Sequence, residues 1–276
     1  MSCRTDAARL SLGQATALGA LHGPAELLPI SSSGHVALIP WLLGWDYDRL
    51  DSELRKSFEV ALHAGTAAAL LITLRGEVKD AVRDMSFRLV GLIVLSFVPP
   101  AVIGYRLERP IEEHLGTPPT IAAGLICGSL VMAVADRSPQ WRLSTEADWR
   151  DALWLGVAQA CALVPGVSRN GATLAAARHR GFTRADANRL SRHVALPVIA
   201  GATLLKGVRL SRRGLSPGTA APFAAGAAAS FASTLGSTWL IRQVERDRSL
   251  LPYAAYRMAL AGAVVSRLGR GRPRSG

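Results

Sequence analysis

An apolar chain that carries a carboxylate, three hydroxyls, a glycine and an imidazole within one short stretch has few ways to fold. That stretch is Leu21 to His35, LHGPAELLPISSSGH, which sets Glu26, Ser31, Ser32, Ser33, Gly34 and His35 inside otherwise apolar sequence. Pro24 and Pro29 lack an N–H and restrict the residue before each, so a helix here is interrupted and some backbone groups lose their intrahelical partners. In a soluble protein the segment reads as a polar surface loop. At membrane depth, broken backbone survives only inside protein or beside a water-filled cavity. The rest of the chain decides between these readings. Its 276 residues are 49% hydrophobic and fall in long uncharged runs, which describes a polytopic membrane protein.

In chain order, the first apolar run, Leu10 to Leu28, breaks at this stretch and resumes only as Val36 to Gly44. That second piece makes about 14 Å of helix, half of a bilayer core of about 30 Å, so a re-entrant hairpin over residues 10–44 is expected. Crossings follow at 58–74, 89–105 and 121–135. The first carries Glu59 and His63 on one helical face, either as a mutually satisfied polar pair or as participants in chemistry. Pro99 and Pro100 are expected to kink the second.

From Trp154 the pattern restarts. WLGVAQACALVPGVSRNG aligns with the opening stretch without a gap, pairing Gly19 with Gly156, Ala25 with Ala162, Ile30 with Val167, Ser31 with Ser168 and Gly34 with Gly171, each 137 apart. A second hairpin over 152–177 and crossings at 194–208, 220–241 and 252–265 complete this half, and 267–276 is a basic tail near headgroups. The expected fold is therefore all-α: an inverted repeat of a re-entrant hairpin plus three transmembrane helices. Residues 1–140 and 141–266 form the halves of a single membrane domain, inverted because each half crosses an odd number of times. Such architecture brings both broken segments together near the midplane.

The net charge of +12 does not point to nucleic acid, because Lys and Arg fall in short segments between apolar runs with no aromatic interleaving. Anionic headgroups or a phosphorylated lipid fit better. The 32 Lys and Arg residues divide 15 and 15 between the two membrane faces, with Arg169 and Arg257 inside motif or span, so charge sets no orientation. Cys3, Cys127 and Cys161 imply no disulfide framework. The N-terminus lacks a cleavage site and is read as retained.

Glu-Leu-Leu-Pro-Ile-Ser-Ser-Ser-Gly-His at 26–35, with Pro-Gly-Val-Ser-Arg-Asn-Gly at 165–171, resembles the undecaprenyl-diphosphatase family of the bacitracin-resistance type. The similarity also takes in 58–66 and 190–202, nearly the whole chain. It implies a multi-pass enzyme of the bacterial plasma membrane that hydrolyses undecaprenyl diphosphate to undecaprenyl phosphate, recycling the lipid carrier for cell-wall synthesis. It also implies bacitracin resistance, a site open to the outer face, and a divalent cation, Mg²⁺ or Ca²⁺. Membrane lipids and the lipid diphosphate are the expected partners, with a homodimer allowed.

Cleaving a phosphoanhydride needs charge neutralisation, a nucleophile, and help for the leaving group. Arg169 suits the first as a forked phosphate ligand, with backbone N–H groups approaching at Gly166 and Gly171. Ser32 is the expected nucleophile, because the offset of 137 pairs it with Arg169, and Ser31 is the close second. Glu26 either takes the hydroxyl proton or holds the cation, and His35 either positions or protonates a phosphate oxygen. Ser33, Ser168 and Asn170 complete the expected phosphate contacts. The sequence departs from the family at His22, where Glu or Gln is usual, which changes the charge and the preferred metal of any cation site. Arg192 and His193 also depart, as surface groups or as modifiers of phosphate access. The competing readings are a carrier or flippase for a phosphorylated prenyl lipid, and a phosphatidic-acid-phosphatase type enzyme. The latter is disfavoured because His179 follows Arg169 at ten residues rather than six.

Overall fold

The computed structural model describes residues 10–83, 86–195, 201, 218–246 and 249–270. Among them the helices come in the order α1 at Leu12–Leu27, α2 at Ser32–Leu43, α3 at Ser52–Thr73 and α4 at Arg75–Arg83, and one isolated bridge joins Arg142 to Phe182. Next come α5 at Phe87–Leu115, α6 at Pro118–Ala135, α7 at Trp149–Cys161, α8 at Arg169–His179 and α9 over 184–195. The described chain closes with α10 at Ala220–Gly236, α11 at Trp239–Arg246 and α12 at Leu251–Arg270.

The polar stretch divides α1 from α2. Ser11 caps α1 reciprocally with Gln14, and the helix ends where Leu28 turns extended before Pro29. With 16 and 12 residues, α1 and α2 reach about 24 and 18 Å, and neither spans a bilayer core. The same holds for α7 and α8, with 13 and 11 residues. Both breaks end in the same local geometry. Ser31 and Ser168, equated by the sequence offset, are the two non-glycine residues of positive φ among the described residues, at 78° and 72°. Each caps the next helix by accepting an N–H on its hydroxyl, Ser31 from Gly34 at 3.3 Å and Ser168 from Gly171 at 3.2 Å.

Each pair of short helices packs against a long helix from the other half of the chain. α1 lies along α10, where a Cβ on Gly19 would stand 2.2 Å from the Gly226 carbonyl oxygen. α7 lies along α5, where a Cβ on Gly156, the equated residue, would stand 2.7 Å from the Ser96 carbonyl oxygen. Close backbone approach at small residues is how helices associate when lipid replaces water. Pro99 and Pro100 sit inside α5 without ending it. Because Pro100 has no N–H, the Ser96 carbonyl has no intrahelical donor, and Gln159 of α7 supplies one at 3.1 Å. α6 and α12 pack together with α2 around Leu38, Ile121, Leu125, Ala261 and Val264.

α5 and α6 are long and apolar enough to cross a membrane, and α5 exposes Val90, Val94, Phe97, Val98 and Val102. Long apolar helices with an exposed apolar face are those of a helical membrane protein.

Two expectations need adjustment. The run at 220–241 is not one helix, because after Ser237 the N–H groups of Thr238, Leu240 and Ile241 turn to the carbonyls of Leu235, Ser237 and Thr238, three residues back, closing α10 before the amphipathic α11 begins. The basic tail begins later than expected. α12 continues through Arg270, and the Arg267 guanidinium sits 4.9 Å from the Trp41 ring centre and donates to the Leu42 carbonyl. Residues 271–276, and the crossing at 194–208 apart from its first two residues and Gly201, lie outside the described residues. Cys127 and Cys161 are free, as expected; Cys3 lies outside the described residues.

Candidate active site

The two breaks meet around Glu26. One carboxylate oxygen accepts the Ser32 hydroxyl, and the other accepts Arg169 Nη2 at 2.6 Å. Ser32 and Arg169 are the first residues of α2 and α8, so both extend from helix N-termini, whose free N–H groups and dipoles favour an anion. Because both bond one carboxylate, the hydroxyl and the guanidinium nitrogen stand no more than about 7 Å apart, a gap that one phosphate and its hydrogen bonds can bridge.

Ser31 is placed differently. Its hydroxyl caps α2 and lies 3.5 Å from the Ser33 hydroxyl, and the residue is buried. Of the two neighbouring serines, Ser32 is the one bonded to a carboxylate. Asn170 ties the tips together, donating to the Leu27 carbonyl at 3.1 Å and accepting from Ser191 at 3.3 Å.

A cavity of about 260 Å³ opens here, lined by Glu26, Ser31, Ser32, Ser33, His63, Gln159, Ser168, Arg169 and Asn170 with the apolar Leu28, Pro100, Ala162 and Leu163. A smaller cavity of about 70 Å³ on the far side of the Glu26–Arg169 pair takes in Asn188, Ser191 and Arg192. The large cavity has room for a phosphate and several waters, at about 30 Å³ per water.

Three expected residues stand away from this cavity. His35 is fully buried, with Nδ1 donating to the Ser31 carbonyl at 2.7 Å, which leaves Nε2 to accept the Tyr256 hydroxyl at 2.8 Å. Both ring nitrogens are thus engaged in holding the break. Gly166 packs against α6, and the Gly171 N–H is taken by the Ser168 cap. His179 stacks near Trp154, 5.8 Å between ring centres.

His63 and His22, both singled out in the sequence, join the site. His63 Nδ1 lies 3.9 Å from Glu26 Oε2, and its ring meets His22 edge-on at 4.6 Å. His22 is buried, with Nδ1 3.0 Å from the Thr66 hydroxyl. A consistent set of donors runs from His22 Nδ1–H to Thr66, to Ser230 at 2.8 Å, and on to the Leu62 carbonyl at 2.9 Å. This order leaves the Nε2 lone pair of His22 for the site. Candidate ligand atoms of His22, Glu26 and His63 all lie within 4.8 Å of one another. Arg192 bonds Glu77 at 3.1 Å and Glu245 at 2.6 Å, so it bridges α4, α9 and α11 beside the smaller cavity. His193 lines a separate pocket with Leu89, Leu92 and Ile93.

Outside the hairpin, Arg142 and Arg180 converge on the buried Asp151 at the start of α7. Arg142 makes two bonds, at 2.9 and 2.6 Å, and Arg180 one at 2.7 Å. Sequence reasoning passed over Asp151, Gln159 and Tyr256. For Gln159 the signal was there, as a lone amide inside an apolar run.

Residues 15–263 match the family model described as bacitracin resistance protein BacA. A Geobacter sulfurreducens protein named undecaprenyl-diphosphatase is 41% identical over 274 residues, covering 94% of this chain and 99% of that protein. Proteins of the same name from Trichlorobacter lovleyi and Rubrobacter xylanophilus are 39% and 36% identical, covering 95% and 94% of this chain and 99% of each relative. With the polar breaks at 26–35 and 165–171 inside the matched region, the chain belongs to the BacA bacitracin-resistance family.

Proposed function

We propose that the chain hydrolyses undecaprenyl diphosphate to undecaprenyl phosphate and inorganic phosphate, recycling the lipid carrier used in cell-wall synthesis. The observation that carries the chemistry is the carboxylate of Glu26 shared between the Ser32 hydroxyl and the Arg169 guanidinium. A carrier needs polar breaks and a cavity, but it has no need of a serine bonded to a carboxylate, so this pair favours hydrolysis over transport.

In this reading Ser32 Oγ attacks the terminal phosphorus in line with the bridging oxygen, and its proton passes to Glu26. The phosphoanhydride bond breaks, undecaprenyl phosphate leaves with the proton from Glu26 on its freed oxygen, and the phosphoryl group stays on Ser32. Water then attacks the phosphoserine, giving a proton to Glu26, which passes it to the departing Ser32 oxygen; phosphate is released and the hydroxyl restored. Arg169 keeps N–H groups beyond the one on Glu26, and these, with the N-termini of α2 and α8, stabilise the equatorial oxygens. Ser33, Ser168 and Asn170 line the same cavity and offer further contacts, and Ser31 shapes the break rather than reacting. His35, bonded at both ring nitrogens, positions that break.

The cation implied by the family finds a changed setting. Mg²⁺ and Ca²⁺ take six or more oxygen ligands, whereas the donors gathered here are two imidazoles and a carboxylate already bonded to Ser32 and Arg169. The set does not fit a hard cation; it has the chemistry of a site for Zn²⁺ or a similar ion, with the His22 ring oriented by Thr66. No step above depends on it.

The architecture follows the same logic: two re-entrant hairpins and six crossings in inverted halves, the cavity opening to the outer face where the diphosphate is released. The matched caps at Ser31 and Ser168 and the reciprocal packing of α1 on α10 and α7 on α5 support this arrangement. Phosphate release by the purified protein from undecaprenyl diphosphate in detergent tests the reading; a carrier releases none.

A further inference from the structure

Arg257 lies in the interior of α12, is fully buried, and has no carboxylate partner among the described residues. Its guanidinium is surrounded by carbonyl oxygens instead. Nη1 donates to Pro29 at 3.2 Å, while Nη2 is shared among Gly166 at 3.0 Å, Val167 at 2.9 Å and Leu125 at 3.3 Å. Pro29 belongs to the first break and Gly166 to the second, and they are 137 apart, the offset that relates the halves. Their carbonyls lie where helix continuity is lost, so at membrane depth each needs a donor from elsewhere. One planar fork supplies both.

The position of the fork bears on the chemistry. Ser32 lies three residues past Pro29, and Arg169 three residues past Gly166. We propose that Arg257 is a positioning residue that fixes the spacing of the two hairpin tips, and so the separation of Ser32 from Arg169. This rests on the assignment of those two residues as nucleophile and clamp. Lysine cannot replace Arg257, since one ammonium nitrogen cannot stand at both prongs of the fork, where Nη1 meets Pro29 and Nη2 meets Gly166 and Val167.

The test measures phosphate release from undecaprenyl diphosphate in detergent, per folded molecule, with thermal unfolding followed in parallel. Arg257→Lys is expected to lower kcat by about 100-fold while KM changes less than about threefold, the pattern of a misplaced reacting pair. Arg257→Gly is expected to recover about tenfold or more in kcat with added guanidinium but not with ammonium at equal ionic strength. A purely structural staple would lower the unfolding midpoint and leave kcat per folded molecule unchanged, and that result overturns the proposal. Should neither variant fold, Gly128→Ala decides: a Cβ there would stand 2.2 Å from Arg257 Nη2, displacing the fork while keeping its charge. Wild-type kcat in that variant also overturns it. Ser32→Ala and Arg169→Lys run alongside; full activity in those would defeat the site assignment itself, so the two failures are told apart.

Discussion

Replacing Glu26 by Gln keeps the side chain's shape and removes its charge and basicity. In the resting site the carboxylate accepts the Ser32 hydroxyl on one oxygen and Arg169 on the other at 2.6 Å. The amide can keep its carbonyl on Arg169 and donate from its NH2 to the Ser32 oxygen, so the tips should stay docked, but it cannot take a proton from Ser32. Loss of a general base costs about 10² to 10⁴ in rate, or about 3–5 kcal/mol in the barrier. Binding moves the other way. A charge-assisted bond between Arg169 and Glu26 becomes a neutral one, so the guanidinium is freer for phosphate and KM should hold or fall. The assay is steady-state phosphate release from undecaprenyl diphosphate, with folding checked by thermal unfolding. A loss confined to kcat supports the base. Near wild-type kcat, or a loss carried wholly by KM, would refute it and leave Glu26 as an anchor for Arg169.

Ser32→Ala should abolish turnover while lipid binding persists, and Arg169→Lys should lower kcat severely; since both serve one reaction, the double variant should be little worse than Ser32→Ala alone, as activity and binding measurements on all three will show. Metal content of the purified protein should favour Zn²⁺ or Co²⁺ over Mg²⁺ and Ca²⁺, with His22→Glu shifting the order toward the hard cations; equal uptake of all four by the parent would contradict the donor argument. Burial drives the Asp151 carboxyl upward, but bonds from Arg142, the Asp148 N–H and Arg180 more than offset this and hold its pKa at about 2. A pKa depressed on folding contributes stability that is present above the unfolded value near 4 and is lost as pH falls toward 2, here about 2 kcal/mol, so acid unfolding of Asp151→Asn should show a weaker pH dependence across that window. At neutral pH the same variant should be less stable by about 3–5 kcal/mol in denaturant melts, because two guanidinium groups lose their acid.

The breaks and their pairing were legible because prolines and serines inside apolar runs leave few alternatives, and because the offset of 137 equates residues one by one. That offset put Ser31 with Ser168, and the two share a backbone conformation that non-glycine residues seldom adopt. It put Ser32 with Arg169, and they meet on one carboxylate. What the sequence concealed were partners set by distant packing. His63 was visible as a polar residue on α3, but that it stands beside His22 and Glu26 depends on how α1 lies against α3. Glu59, one turn earlier, falls near Tyr47 instead. The motif offers His35 as a group that positions or protonates a phosphate oxygen, and only Tyr256, 221 residues away, reveals that both its nitrogens are engaged. The division of α10 from α11 was hidden because Ser237 and Thr238 are mild helix interrupters in a run whose hydropathy continues.

Neither half of the chain contains a site. Glu26 and Ser32 come from the first, Arg169 from the second, and the bonds that join them cross between halves: Glu26 to Arg169, Asn170 to the Leu27 carbonyl, and Arg257 to Pro29 and Gly166. Each joins a charge or a freed backbone group to its complement where water is scarce. Separating the tips would leave a carboxylate, two guanidinium groups and several carbonyls unpaired together, and removing one partner of a buried pair alone costs about 3–5 kcal/mol. Docking of the tips and assembly of the proposed catalytic pair are therefore one event. A substitution that removes charge at the tips disturbs both. Changes that keep shape or charge while removing one function, as Glu26→Gln and Arg257→Lys do, are the ones that separate chemistry from folding.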